Sequence, residues 1–159
     1  ITLKKGFQSL KNIKEIKFHN LNVKKFEKGF LESSEPGLES TSSSIIFSNM
    51  NLTGDSFEYG TFDGNRTLRY SVMLSNSNID YIPESSFKKV LKLNSSVILF
   101  DNQFDDGRTK SYIDCEDCRN YWLIRDYRED QIKFSICKDT NSTGLFHYNN
   151  KSFLEAKCN

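Results

Sequence analysis

The 159-residue sequence has no cysteine before Cys115, two prolines, two histidines and one tryptophan. Each scarcity closes off a class of function. His19 and His147 have no Ser or Cys nucleophile motif near them in sequence, so no nucleophilic catalytic constellation is visible. Phosphate-cradling loops are also missing, because Gly60-Thr61-Phe62-Asp63-Gly64 lacks the lysine and the spacing of a P-loop. No apolar run approaches the ~18 residues of a membrane span, and mean hydropathy is −0.59. The opening Ile1-Thr2-Leu3-Lys4-Lys5 has no apolar signal core, so a secretory signal, if there was one, is expected to have been removed upstream. Residues 31–65 contain no Lys or Arg, whereas residues 1–30 carry eight lysines against Glu15 and Glu27. This asymmetry marks either a surface for a charged partner or a solvated face that aids solubility. With a net charge of only +1, nucleic-acid binding has no support beyond that lysine-rich start.

What is present points to the secretory pathway. Five Asn-x-Ser/Thr sequons begin at Asn51, Asn65, Asn94, Asn141 and Asn150, none blocked by proline. All four cysteines, Cys115, Cys118, Cys137 and Cys158, fall in the last 45 residues. An even, clustered set suits a local disulfide framework in an oxidising compartment, although spacing alone leaves three connectivities open. A zinc site would want a second close pair or histidines. A redox Cys-x-x-Cys would want a βαβ setting. The acidic run from Asp101 to Gly107 has its glycine out of register for a calcium loop.

The decisive feature is self-similarity. Four eight-residue segments begin at Ile16, Ile45, Val72 and Val97, separated by 29, 27 and 25 residues. Each reads apolar, x, apolar, x, Asn/Asp, x, Asn/Gln, apolar. Alternation of this kind marks a strand, and its recurrence implies a stacked array, since one unit cannot bury its own apolar face. Downstream apolar anchors accompany each strand, most clearly Ile79, Ile82, Phe87, Val90 and Leu91. Ile1 to Phe7, with Leu10, reads as the tail of an earlier unit. The polar stretch from Ser33 to Ser44 reads as a long connection.

These segments resemble extracellular leucine-rich repeats, with the stretch from Leu74 to Phe87 matching best. The resemblance implies an α/β fold: a short solenoid with a parallel concave sheet over residues 1–106, in about four repeats, the first partial. The family's buried asparagine column falls on Leu21, Met50, Ser77 and Asn102, so only Asn102 agrees. Either the neighbouring asparagines take over that role or the first repeats are irregular. Residues 107–159 resemble the cysteine-rich C-terminal cap of such proteins, with Cys115-Glu116-Asp117-Cys118 preceding Trp122-Leu123; here the pair is Cys-x-x-Cys rather than Cys-x-Cys. That resemblance implies Cys115–Cys137 and Cys118–Cys158 pairings. Trp122, Leu123 and Phe134 are expected to plug the open end of the array, with each disulfide contributing roughly 2–4 kcal/mol.

If Ile16/Phe18, Ile45/Phe47, Val72/Leu74 and Val97/Leu99 face inward, the concave columns are Lys17, Ile46, Met73, Ile98 and His19, Ser48, Ser75, Phe100. Ile46, Met73, Ile98 and Phe100 would then form an exposed apolar stripe for a protein or hydrophobic ligand, flanked by Lys17 and His19. The alternatives are coverage by the protein's own loops or a register displaced by one. The expectation is a secreted, non-catalytic binding or scaffold module without a cofactor. Resemblance to arthropod repeat proteins that accompany enzymes implies a second possibility, an accessory subunit of a secreted enzyme complex. Ile1 enters in mid-repeat without a preceding cap, so a second subunit is expected to cover that end unless the chain is a processed piece.

Overall fold

The computed structural model describes residues 1–4, 15–30, 42–62, 69–92, 97–101, 111–133, 135–138 and 144–159. Five strands, β2 (Glu15–His19), β4 (Ser42–Ser48), β6 (Arg69–Ser75), β8 (Val97–Asp101) and β10 (Ile132–Lys133), form one parallel sheet in chain order. A second parallel sheet is built from two-residue strands: β5 (Asn51–Leu52), β7 (Asn78–Ile79), β9 (Tyr112–Ile113) and β11 (Ile136–Cys137). A third pairs β1 (Thr2–Leu3) with β3 (Lys25–Phe26). Helices α1 (Glu84–Leu91), α2 (Tyr121–Asp126) and α3 (Tyr148–Cys158) complete a mixed α/β architecture. Strands β9 to β11 come from the segment read as a cap, yet they extend both sheets.

Register explains the stacking. Ile16, Ile45, Val72 and Ile98 form one row across the large sheet, and Phe18, Phe47, Leu74 and Phe100 form the next. Both rows face the core: Ile16 is half-buried and the rest are buried. This corrects the expectation for the fourth strand. Ile98 and Phe100 are 0% exposed, and Val97 and Leu99 take the register positions of Ser71 and Met73. The cause is the unbroken apolar run Val97-Ile98-Leu99-Phe100, which lacks the alternation that fixes which face is which.

Each of the first three long strands is followed by an asparagine with positive φ: Asn20 at 53°, Asn49 at 53° and Asn76 at 48°. Asparagine tolerates the left-handed region better than other side-chain-bearing residues, so it turns the chain sharply out of the sheet. The true fourth counterpart, one residue beyond Asp101, is Asn102, outside the described residues.

These asparagines do not fill the buried polar column. Ser77, 0% exposed, donates from Oγ to the Phe47 carbonyl of the preceding unit at 2.9 Å and accepts from Met50 N at 3.1 Å. Ser111 repeats the arrangement one unit on, donating to the Leu74 carbonyl at 2.8 Å and accepting from Ser77 N at 3.0 Å. A hydroxyl both donates and accepts, so it does the work expected of an amide. At the equivalent point in the earlier units Met50 is buried and apolar, and Leu21 is exposed. On the other side of the core, buried Thr61 and Ser86 tie their units back to the Phe26, Phe57 and Glu58 carbonyls.

Between the sheets the core is aromatic. Phe18 stacks on Phe47 at 5.5 Å, Phe26 on Phe57 at 5.0 Å, and Phe57 meets Phe87 edge-on at 5.1 Å. Trp122 is buried, its indole N–H donating to the Ile82 carbonyl at 2.8 Å, and Leu123 is fully buried; α2, which carries both, precedes β10 and β11 and does not end the stack. Asn120 fastens this packing: its amide oxygen accepts from Ile82 N at 2.9 Å, and its nitrogen donates to the Asp80 and Asp114 carbonyls. Disulfides join Cys115 to Cys137 and Cys118 to Cys158, the pairing that the resemblance implied. Phe134 lies outside the described residues.

Replacing Ser77 with alanine strands a buried carbonyl and a buried N–H together, which is expected to cost about 1–3 kcal/mol. Urea denaturation showing an unchanged midpoint for Ser77→Ala would remove the hydroxyl from this role.

Candidate binding surface

Inward packing of one set of side chains on β2, β4 and β6 leaves the alternate set on the outer face. One row is Lys17, Ile46 and Met73, continued in register by Leu99; the next is His19, Ser48 and Ser75, continued by Asp101. Lys17 and His19 are exposed, while Ile46 and Met73 are half-buried. The expected apolar stripe is therefore shorter than the repeat suggested. Ile46 and Met73 belong to it; Ile98 and Phe100 are core.

His19 is held in place rather than free. The Asn20 side-chain amide donates to its Nε2 at 3.0 Å, which leaves the proton on Nδ1 to meet Ser48 Oγ at 3.2 Å. Ser48 is itself buried. The end of the outer face therefore presents an oriented imidazole next to a lysine and two adjacent apolar side chains. Such a surface can make directed polar contacts at one end and exclude water in the middle.

A second cluster lies at the bends following β5, β7 and β9. Tyr81 donates its hydroxyl to Asp55 Oδ1 at 2.5 Å, and the Arg119 guanidinium lies 3.6 Å over its ring. The ring presses so closely on Gly54 that a Cβ there would come within 2.3 Å of it. Asp80 accepts from Gly54 N and Tyr81 N, each at 2.7 Å. Asp117 holds Arg119 with three guanidinium bonds, two from Nε and one from Nη2, and raises its affinity for the proton. Burial first, and then the bond to Asp55, push the Tyr81 phenol up to about 12, against the opposing pull of Arg119. Every charge here has a partner inside the cluster, so the geometry is that of a clamp between successive bends.

One cleft of about 420 Å³ opens beside β10, lined by Glu129, Ile132, Ser135, Phe146, His147 and Tyr148 among others. It brings His147 near a serine that sequence distance had kept apart. The Ser135 hydroxyl accepts from Leu145 N at 3.2 Å, a structural bond that fixes the turn. Among the described residues no group of His, Cys, Asp or Glu could hold a metal ion, and no helix is long and apolar enough to cross a membrane.

Of the sequons, Asn51 is exposed on β5. Asn150 sits within α3, and the amide nitrogen that a glycan would occupy donates to the Gly144 carbonyl at 2.9 Å. Asn65, Asn94 and Asn141 lie outside the described residues. No family model matches the chain, and neither the curated proteins nor the solved structures contain one similar to it.

Two measurements check this geometry. Ultraviolet titration should show one phenol near 12 that disappears in Tyr81→Phe. Its folded pKa lies above the ordinary 10, so its share of stability is complete below pH 10 and is lost as pH rises through 12. Loss of no such phenol in the variant would refute the clamp. In a eukaryotic secretory host, glycopeptide mapping should find glycan at Asn51 and bare Asn150; occupied Asn150 would show that the α3 contact forms too late to matter.

Proposed function

We propose that the chain is a secreted, non-catalytic binding or scaffold module of the leucine-rich-repeat type, and that it recognises a protein or apolar ligand on the concave face of its large sheet. The observation that carries this reading is the outer row of that sheet. Ile46 and Met73 stand side by side, half-exposed, on a surface where alternation ordinarily places polar groups, with Lys17 and the oriented His19 at their edge. Adjacent apolar side chains on an otherwise polar face favour a contact surface. In-register parallel strands and buried hydroxyls bridging successive units support the repeat reading. The two disulfides are compatible with an extracellular setting.

No residue on this face is assigned a reaction, and the role proposed for it is non-covalent. The test is a pair of charge insertions read against folding. Ile46→Glu with Met73→Glu should weaken capture of a screened extracellular partner at least tenfold, about 1.4 kcal/mol, while the thermal melt stays put. Ile98→Glu should instead unfold the domain, because it buries an unpaired charge. Undiminished binding by the double variant would overturn the assignment of this face.

A further inference from the structure

Charge in this protein is segregated by position in the stack. Residues 1–30 hold eight lysines and two glutamates, net +6, and since the whole chain is +1 the remainder is net −5. Of the first group, the described Lys4, Lys17, Lys24, Lys25 and Lys28 lie at one end of the strand order, in or next to β1, β2 and β3. β2 is the last strand of the five-stranded sheet, and β1 pairs with β3 beside it, so Lys4, Lys17 and Lys24 belong to the same terminal unit. The unit is drawn together by the Lys24 N–H, which donates to the Ile1 carbonyl at 2.7 Å.

Among the described residues, several cations elsewhere are ion-paired and others, such as Lys92, Lys133 and Lys138, are not; what sets the first unit apart is that its lysines are neighbours in or next to paired strands. Lys88, Arg119, Arg125, Arg128 and Lys151 each have a carboxylate within 4.0 Å. Lys25 is bridged to Glu58 at 3.0 Å. Lys4, Lys17 and Lys24 are exposed and have no carboxylate partner among the described residues. Unpaired like charges gathered in one unit repel one another, and the field they raise extends over a Debye length of roughly 8 Å at physiological salt. A polyanion relieves that repulsion and releases its own counterions.

We propose that this terminal unit binds a sulfated glycosaminoglycan. No arginine occurs before Arg66, so the planar fork that reads phosphates and base edges bidentately is missing here. Lysine ammonium groups act instead as point charges, suited to the sulfates of a flexible polysaccharide. A basic cluster of this composition is read as a heparin-type patch when it faces an extracellular medium. The inference rests on the secreted reading above; Lys17 borders the Ile46–Met73 face, whereas Lys4 and Lys24 flank the strands of the separate β1–β3 sheet and are the residues that test it.

The probe is heparin, used with the intact disulfide-bonded chain. At about 0.15 M salt the protein should be retained on immobilised heparin and elute later than from a sulfonate cation exchanger, although its net charge is only +1. Lys4→Glu and Lys24→Glu combined should weaken heparin binding at least tenfold. The slope of log affinity against log salt should fall by about two, with the thermal melt unchanged. Co-elution from the two resins, an unaltered double variant, or equal affinity for duplex DNA or phosphatidylserine vesicles would each overturn the proposal. The Ile46→Glu, Met73→Glu protein should still bind heparin. That separates failure here from failure of the sheet-face reading, since each set of variants touches only one surface.

Discussion

A strand of five to seven residues with one apolar face cannot hide that face by itself, and every other feature of this protein answers that constraint. Each unit lends its inward pair, such as Ile45 with Phe47 or Val72 with Leu74, to the unit beside it. Burying one such pair removes side chains worth roughly 1.5–3 kcal/mol each from water, and neither member of a neighbouring pair gains this without the other. The polar groups that turning the chain would expose are handled by the same neighbour relation. Ser77 and Ser111 reach back one unit to a strand carbonyl, while Thr61 and Ser86 reach back on the far side. Apolar rows supply the drive, and hydroxyls satisfy the backbone that the drive would otherwise leave unpaired.

The parallel sheet and the order of its strands were legible in the sequence because they follow from periodicity; the two disulfide pairs came only from what the resemblance implied, since cysteine spacing left three connectivities open. What was not legible was the parity of β8. Units with a polar residue next to each inward position, as in Ile16-Lys17-Phe18-His19, declare their faces. Val97-Ile98-Leu99-Phe100 does not, and choosing Val97 as its start placed Ile98 and Phe100 on the wrong side. A usable signal was present nonetheless. Asn20, Asn49 and Asn76 each stand four residues after an inward first position, and the left-handed turn they make favours asparagine over aspartate. Asn102 rather than Asp101 keeps that spacing, which moves the start to Ile98.

The buried polar column was harder to find. An amide was expected at Ser77, and serine in a polar loop carries no mark of burial. Only the carbonyls waiting on the preceding unit identify it. Asn120 was hidden for a similar reason, because its three bonds reach Ile82, Asp80 and Asp114, some of them forty residues away. Side chains that mend the backbone at long range are set by where the chain passes, and local composition does not announce them. Among the described side chains, the outer face once corrected offers Ile46 and Met73 next to an anchored imidazole.

In-register parallel pairing also gives the molecule a property of scale. In the five-stranded sheet each strand pairs only with the strands next to it, so a duplication or deletion of one strand-bearing unit would leave the pairing of the two edge strands unchanged. It would change their separation by one strand spacing, about 4.8 Å. The lysine-bearing terminus and the cystine-bearing terminus are thus held apart by a countable number of steps. Evolution can alter the span between them in whole increments without redesigning either.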